Sequence, residues 1–397
     1  MRVKFFHTAD WHLGKLVQGV YMTEDQEFIL KQFIAEIEKE KPDAVVIAGD
    51  LYDRAVPPTE AIQLLNDVLD RIILDLNIPV LAIAGNHDSP SRLNFASKIL
   101  MENGLHIVGQ LEKDFQPVVL EDSYGEVHFH LVPFCEPSVV RNVFADDSIK
   151  TYDDAMKKIV EEISHHMDQS ARHVFVGHAF VTPYGEPEEN TSDSERPLAI
   201  GGAEHVSAQH FTNFHYTALG HLHRAHTVFQ ENIRYAGSPL KYSISEEHHE
   251  KGFYIVNIDE KGEVKVEKRI LTPKRDMYTV RGTMEKILQM DKCEDYVFVE
   301  LLDEMPVLSP MEKIRSVFPN AMHVKRQISQ VTNPFTDQGA KKRADLNDVE
   351  LFKAFYKEVK GTEASDETEK IFKEVLDELL KEERESTAKV DKEAVKQ

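Results

Sequence analysis

Five short motifs rich in metal-ligating side chains punctuate the first 223 residues: Asp10-Trp11-His12, Gly49-Asp50-Leu51-Tyr52-Asp53, Gly85-Asn86-His87-Asp88, Gly177-His178 and Gly220-His221-Leu222-His223. Carboxylate, imidazole and amide oxygen are donors that suit Mn²⁺, Fe²⁺, Co²⁺ or Zn²⁺. Cys135 and Cys293 stand far apart and outside any CxxC pattern, which argues against a structural zinc and against a disulfide framework. The motifs hold more ligands than one ion can take and enough for two. Two ions about 3.5–4 Å apart, bridged by a shared carboxylate, stabilise the attacking and leaving oxygens of phosphoryl transfer.

Each motif alone is weak, because Asp10 reads as well as a turn residue and His12 as a surface residue. Asn-His-Asp straight after an apolar run is an odd place for a strand to stop without a ligand. The joint occurrence carries the argument. Other histidines among the 19 read differently. His165-His166 and His248-His249 sit in charged stretches and read as surface. His128 and His130 alternate with apolar residues and read as packing at a core edge.

Each motif closes an apolar run. Val3 to His7 precedes Asp10, Ala44 to Ala48 precedes Asp50, and Pro79 to Ala84 precedes Asn86; 173–176 and 216–219 precede His178 and His221. Continuous apolar strands belong to buried sheets. In α/β sheets, ligands gather outside the carboxyl ends of the strands, so the five motifs can converge on one point. Helices are predicted at 24–40, with Phe28, Phe33, Ile34 and Ile37 on one side, and at 59–76, with Ile62, Leu65, Val68, Leu69 and Ile72 in register. Further strands are expected at 127–134, 233–236, 252–258 and 264–271. The Pro-, Gly- and Glu-rich stretch 183–203 reads as a long loop, and loops of that length are usually functional. Many strands and few helices in the second half imply two packed sheets with helices outside.

Composition changes near residue 275. From 277 to 328 the pattern is strand, helix, strand, helix, strand, a small α/β domain. After Gly339 the chain is charged and helical. Leu346, Val349, Phe352 and Phe355 form one apolar stripe; Ile371, Phe372, Val375, Leu376, Leu379 and Leu380 form another, across a turn at Gly361–Ser365.

Lys and Arg number 47 against 69 Asp and Glu, a net charge of −22. Global charge therefore gives no support to nucleic-acid binding, although metal ions or a partner can supply a local positive field. Arg54, Arg92, Arg224, Arg234 and Lys241 are candidates to hold phosphates, each weighed against a structural salt bridge. The N-terminus meets Asp10 too early for a signal peptide and no run is long enough to span a membrane, so a cytoplasmic protein is expected.

In this order, DxH, GDxxD, GNHD, GH and GHxH resemble the signature of the calcineurin-like metallophosphoesterases. The flanking residues narrow the likeness. His7-Thr8-Ala9-Asp10-Trp11-His12-Leu13-Gly14, Gly85-Asn86-His87-Asp88-Ser89, and Ala218 to His223 followed by Tyr235-Ala236-Gly237-Ser238-Pro239 are similar to the SbcD-type branch, related to the Mre-type nucleases. The resemblance implies an α/β fold: a four-layer α-β-β-α metallophosphoesterase sandwich over 1–275, a small capping domain over 277–330 and a helical partner-docking tail over 340–397. It implies that Asp10, His12 and His223 hold one divalent ion, that Asn86, His178 and His221 hold a second, and that Asp50 bridges them, with Mn²⁺ the expected metal. His87 would face the scissile phosphate and protonate the leaving oxygen, Asp88 would orient His87, and Asp53 would stand behind the ligands. The substrate implied is DNA, cut as a double-strand exonuclease and a single-strand or hairpin endonuclease in repair, recombination and replication. The partner implied is an SbcC-type ATPase, with a homodimer inside a heterotetramer. An apolar face near Leu65–Leu69 or in the 91–108 region is expected to form the dimer.

The strand-end motifs by themselves also allow a phosphoesterase acting on a small molecule or a phosphoprotein. A non-enzymatic scaffold would have lost ligands, and none is missing.

Overall fold

The strand Val3–Thr8 is apolar on both faces, so both must be covered. Phe6 packs to one side against Phe33 and Phe253. Phe5 packs to the other against Phe129 and Tyr216. The computed structural model describes residues 2–114, 116–186, 192–195, 204–303, 305–326 and 348–376. They fall into two compact units, Met1–Lys325 and Arg326–Gln397.

In the first unit, Val3–Thr8 lies inside a six-stranded sheet. Parallel to it on one side run Ala44–Ile47, Val80–Ile83 and Leu105–Val108. On the other side Gly252–Ile258 pairs with it antiparallel, with Val3 opposite Ile258, and Val264–Ile270 closes the edge. A second six-stranded sheet has the order His226–Val228, Gln230–Tyr235, Tyr216–Gly220, Arg172–His178, Gly125–Val132, Val118–Asp122. Phe5, Val46, Leu81, Phe129, Val174 and Ala218 form the core between the sheets. Helices Thr23–Glu40 and Thr59–Asp70 cover the outer face of the first sheet, and Tyr152–His166 covers that of the second. The layering is α-β-β-α, as expected.

Three local expectations shift. Helix Thr23–Glu40 buries Ile29, Leu30, Phe33 and Ile37, whereas Phe28 is exposed. Helix Thr59–Asp70 buries Ala61, Leu64, Leu65 and Val68, then passes into a π turn at Arg71–Asp75, and Ile62 faces outward. In both helices the apolar stripe is rotated from the phase assumed. Leu105–Val108 and Val118–Asp122 were not predicted as strands: they are a sheet edge and a hairpin arm of mixed burial.

Beyond residue 275, Met277–Gly282, Tyr296–Leu301 and His323–Arg326 make a three-stranded sheet flanked by helices Met284–Leu288 and Pro310–Ile314. It has its own core around Val280, Ile287, Val299 and Phe318, while Met277, Tyr296 and Met322 join the helix-side core of the main body. Arg275 donates to both carboxylate oxygens of buried Asp25 at 2.9 and 2.7 Å, and the Tyr296 hydroxyl donates to the same carboxylate at 2.7 Å.

The second unit contains helix Asp348–Lys360, a turn at Gly361 and helical residues 366–376. The rings of Phe352 and Phe372 stack with centroids 4.0 Å apart, and Lys353 pairs with Glu369 at 2.6 Å. Phe355, Val359, Ile371 and Val375 are exposed. Leu346, Leu379 and Leu380 of the expected stripes lie outside the described residues, as does most of the 183–203 loop.

Candidate metal centre

The five motifs meet at the carboxyl ends of their strands, between the two sheets. Close approach dictates the glycines. A Cβ on Gly85 would lie 2.2 Å from Oδ1 of Asp50, and one on Gly220 would lie 1.9 Å from the Ala48 carbonyl oxygen. Four of the expected ligands, Asp10, His12, Asp50 and His221, have positive φ, at 55°, 44°, 51° and 109°. Non-glycine residues rarely adopt such angles, each costs about 1–3 kcal/mol, and they persist where the surroundings over-determine them.

Asp10, His12, Asp50, His178, His221 and His223 are all buried, and Asn86 and His87 are half-buried, so the site opens to solvent at that pair. Oδ2 of Asp50 stands 3.6 Å from Nε2 of His12 and 3.4 Å from Nε2 of His178, between the two expected ligand groups. On one side Nε2 of His12 and Nε2 of His223 are 3.0 Å apart, and Asp10, His12 and His223 form a cluster able to hold an ion. On the other, Oδ1 of Asn86 is 2.9 Å from Nε2 of His178 and 3.2 Å from Nδ1 of His221.

The donor set fits divalent ions, and proton accounting shows why. His178 donates its Nδ1–H to the Ala48 carbonyl at 2.9 Å, which leaves Nε2, facing the Asn86 and Asp50 oxygens, as the nitrogen that takes either a proton or an ion. Nδ1–H of His223 is shared by Glu246 Oε1 at 3.1 Å and Ser194 Oγ at 2.8 Å, so the same holds for its Nε2. Oxygens and nitrogens converging in this way are held together by protons or by a cation, and ligands about 2.1 Å from one ion stand roughly 3.0–3.4 Å apart.

The carboxylates feel the same shortage of positive charge. Burial pushes Asp10 up to about 7, and burial with Asp50 nearby pushes Asp88 up to about 7. Burial pulls His178 down, but Asp50 and Asp10 outweigh it and hold the ring at about 9. Burial raises Asp50 too, yet His178, His12 and His87 around it keep it well below the usual carboxylate range. His12 and His221 are driven well below the usual imidazole range by burial.

Residues 3–225 match the family described as calcineurin-like phosphoesterase. A relative from Staphylococcus epidermidis, the D-type subunit of nuclease SbcCD, is 36% identical over 354 residues, 88% of this chain and 92% of that relative. The chain belongs to the SbcD branch of the calcineurin-like phosphoesterases. Residues 273–360 match the family described as Type 5 capsule protein repressor C-terminal domain. Among solved structures, a dimetal phosphatase from Danio rerio is 11% identical with a TM-score of 0.39, covering 68% of this chain and 97% of its own. The protein TT1561 of Thermus thermophilus is 11% identical with a TM-score of 0.37, covering 68% and 99%.

For this calcineurin-like phosphoesterase several residue roles need correction. Asp88 does not touch the His87 ring. Its carboxylate accepts the main-chain N–H groups of Leu51, Tyr52 and Gly85 at 3.1, 2.9 and 2.9 Å, pinning the two loops together. His87 instead donates Nδ1–H to the carbonyl of Asp53 at 2.8 Å. The Asp53 carboxylate pairs with Lys15 at 2.8 Å and lies 3.8 Å from Nδ1 of His12. Arg234 and Lys241 have carboxylate partners: Arg234 pairs with Glu231 at 2.7 Å and lies over the Tyr254 ring, and Lys241 pairs with Asp276 at 2.8 Å. Arg54, Arg92 and Arg224 are exposed. His165, His166 and His248 are exposed as expected, but His249 is half-buried, and burial lowers it to about 4. His130 packs on His173 with a 3.0 Å contact, away from the ligands.

Sequence reading missed the residues that hold the ligands. Gln26 donates to the carbonyls of Trp11 and His12 at 3.2 and 2.8 Å and accepts the N–H of Gly14 at 3.1 Å, fixing the first motif. A polar residue on the buried face of an amphipathic helix was the available signal. Glu246 and Lys251 lie in a charged stretch that reads as surface, and nothing in the sequence marks them.

Proposed function

We propose that this chain is the metal-dependent DNA nuclease subunit of an assembly with an SbcC-type ATPase, hydrolysing phosphodiester bonds with two divalent ions, Mn²⁺ the expected metal. Asp10, His12 and His223 would hold one ion, Asn86, His178 and His221 the other, and Asp50 both. The observation that carries the reading is the buried ligand set that opens to solvent at Asn86 and His87. When bound, such ions lower the pKa of water toward neutrality and neutralise charge developing on phosphate. The chain's own residues do the rest. With Nδ1–H of His87 committed to the Asp53 carbonyl, Nε2 is the nitrogen left to meet a phosphate oxygen and pass a proton to the leaving oxygen. Exposed Arg54, Arg92 and Arg224 would hold neighbouring phosphates.

The DNA substrate and the ATPase partner are supported by the relative named for the SbcCD nuclease. With the partner, double-strand exonuclease and single-strand or hairpin endonuclease activity would serve DNA repair and recombination in the cytoplasm. Residues 340–397 would dock on the ATPase. Of the two faces considered for a homodimer, Leu65 is buried, whereas Phe95 is 79% and Ile99 70% exposed, which favours the 91–108 region.

The test is cleavage of a labelled DNA hairpin and of a chromogenic phosphodiester, with Mn²⁺ and with EDTA, beside an Asp50→Ala control. Metal-dependent hairpin cleavage lost in the control supports the reading. Cleavage of the small ester alone, unchanged when the ATPase and ATP are added, overturns it in favour of a small-molecule phosphoesterase.

A further inference from the structure

His223 is gripped at four points, one of them Ser194 Oγ 2.8 Å from Nδ1. Its Nδ1–H reaches Oε1 of Glu246 at 3.1 Å, its main-chain N–H donates to Oε1 of Glu195 at 2.6 Å, and its main-chain carbonyl accepts from Nζ of Lys251 at 2.9 Å. Glu246 and Lys251 form an ion pair at 2.5 Å with side chains 0% and 6% exposed. Lys251 also donates to Ser238 Oγ at 2.8 Å, and Glu246 Oε1 accepts from Ser192 Oγ at 3.2 Å and from Ser194 Oγ. As a packing device this is a poor choice, since an apolar pair of similar volume is often as stable as a buried ion pair. What an apolar pair cannot do is hold an imidazole N–H.

We infer that Glu246, itself fixed by Lys251, is a positioning residue that sets the tautomer and the ring orientation of His223, so that Nε2 of His223 is presented to an ion beside Nε2 of His12. The inference rests on the metal-dependent reading above. A carboxylate behind a metal-bound histidine raises its basicity and fixes its ring, and removing such a partner typically weakens metal binding about 10–100-fold. The effect is confined to one of the two ions, because His178 has its own anchor in the Ala48 carbonyl.

The experiment is Mn²⁺ titration of the full-length protein followed by electron paramagnetic resonance, with the metal-free melting temperature measured alongside. The variants are Glu246→Gln, which keeps an oxygen for Nδ1–H, and Glu246→Leu/Lys251→Met, which removes both charges and leaves Nδ1–H only the Ser194 hydroxyl. Wild type is expected to bind two ions. The double variant, which also strips the Tyr242 N–H and the His223 carbonyl of their partners, should melt lower without metal and bind one ion about 10–100-fold more weakly, with the other unchanged; Glu246→Gln should fall between. A double variant that binds both ions like wild type overturns the inference. Should the double variant fail to fold, Glu246→Gln decides: one weakened ion at an unchanged melting temperature supports the inference, and two wild-type affinities overturn it. A wild-type protein that binds fewer than two ions removes the two-ion reading itself, a separate failure.

Discussion

The main-chain N–H of His87 donates to Oδ1 of Asp50 at 2.8 Å. The other oxygen of Asp50 lies between His12 and His178. The residue read as the proton donor and the residue read as the bridge are thus one hydrogen-bonded piece, and the link runs through the backbone of His87 rather than its ring.

His87→Ala therefore keeps the N–H that steadies Asp50. It should bind two Mn²⁺ like wild type and lose cleavage by about 10²–10⁴-fold. Metal stoichiometry and phosphodiester turnover on the same preparation check this. Undiminished turnover would remove His87 from the chemistry.

Asp88→Ala should behave differently. It strips three buried or half-buried main-chain N–H groups of their acceptor. At about 1 kcal/mol or more for each, the fold should lose roughly 3 kcal/mol, and metal affinity should fall with it. Urea unfolding in EDTA measures the first and Mn²⁺ titration the second. An Asp88→Ala protein as stable as wild type but inactive would restore a role in orienting His87.

The stabilisation conferred by Mn²⁺ should grow between pH 6 and pH 8. Asp10 and Asp88 are pushed up to about 7 by burial, and His178 is held at about 9 by Asp50 and Asp10 in spite of burial. Raised folded values mean that the metal-free fold keeps protons the unfolded chain has released. That stability is present at low pH and is lost as pH rises, up to about 7 for the carboxylates and about 9 for His178. Ions take the place of the protons at Asp10 and His178, so their benefit increases as the protons leave. Melting temperatures with Mn²⁺ and with EDTA across this range test the sign. A benefit that shrinks toward pH 8 would contradict it.

Deleting residues 340–397 should abolish binding to the ATPase yet spare metal-dependent cleavage of single strands, because every candidate ligand lies in the first unit. Pull-down and cleavage assays read the two effects separately. Normal ATPase binding by the truncated chain would refute the docking role.

The strands that carry ligands were legible because a fully buried strand writes an unbroken apolar run, and the motif that ends it stands out against that run. Val46 and Leu81 advertise themselves in this way. The edge strand Leu105–Val108 does not, since half-buried residues such as His106 dilute its pattern. The ligand types were visible in the sequence, but their supports were not. Which acceptor holds the His87 ring depends on a main-chain carbonyl, at Asp53, and a carbonyl has no residue type. Glu246 and Lys251 were hidden because a buried ion pair has the same composition as a solvated one.

The pairing of Val3–Thr8 with Gly252–Ile258 bears on how the protein is made. The first strand has its parallel partner in Ala44–Ile47, but its antiparallel partner lies about 250 residues downstream, and the ligands themselves span Asp10 to His223. Pairing across such sequence separation closes late, after the loop-closure entropy has been met. A chain interrupted before residue 252 lacks the antiparallel neighbour of its first strand, and one interrupted before Lys251 lacks the ion pair behind His223 as well. The candidate ligands are thus all made before the strand and the ion pair that support them.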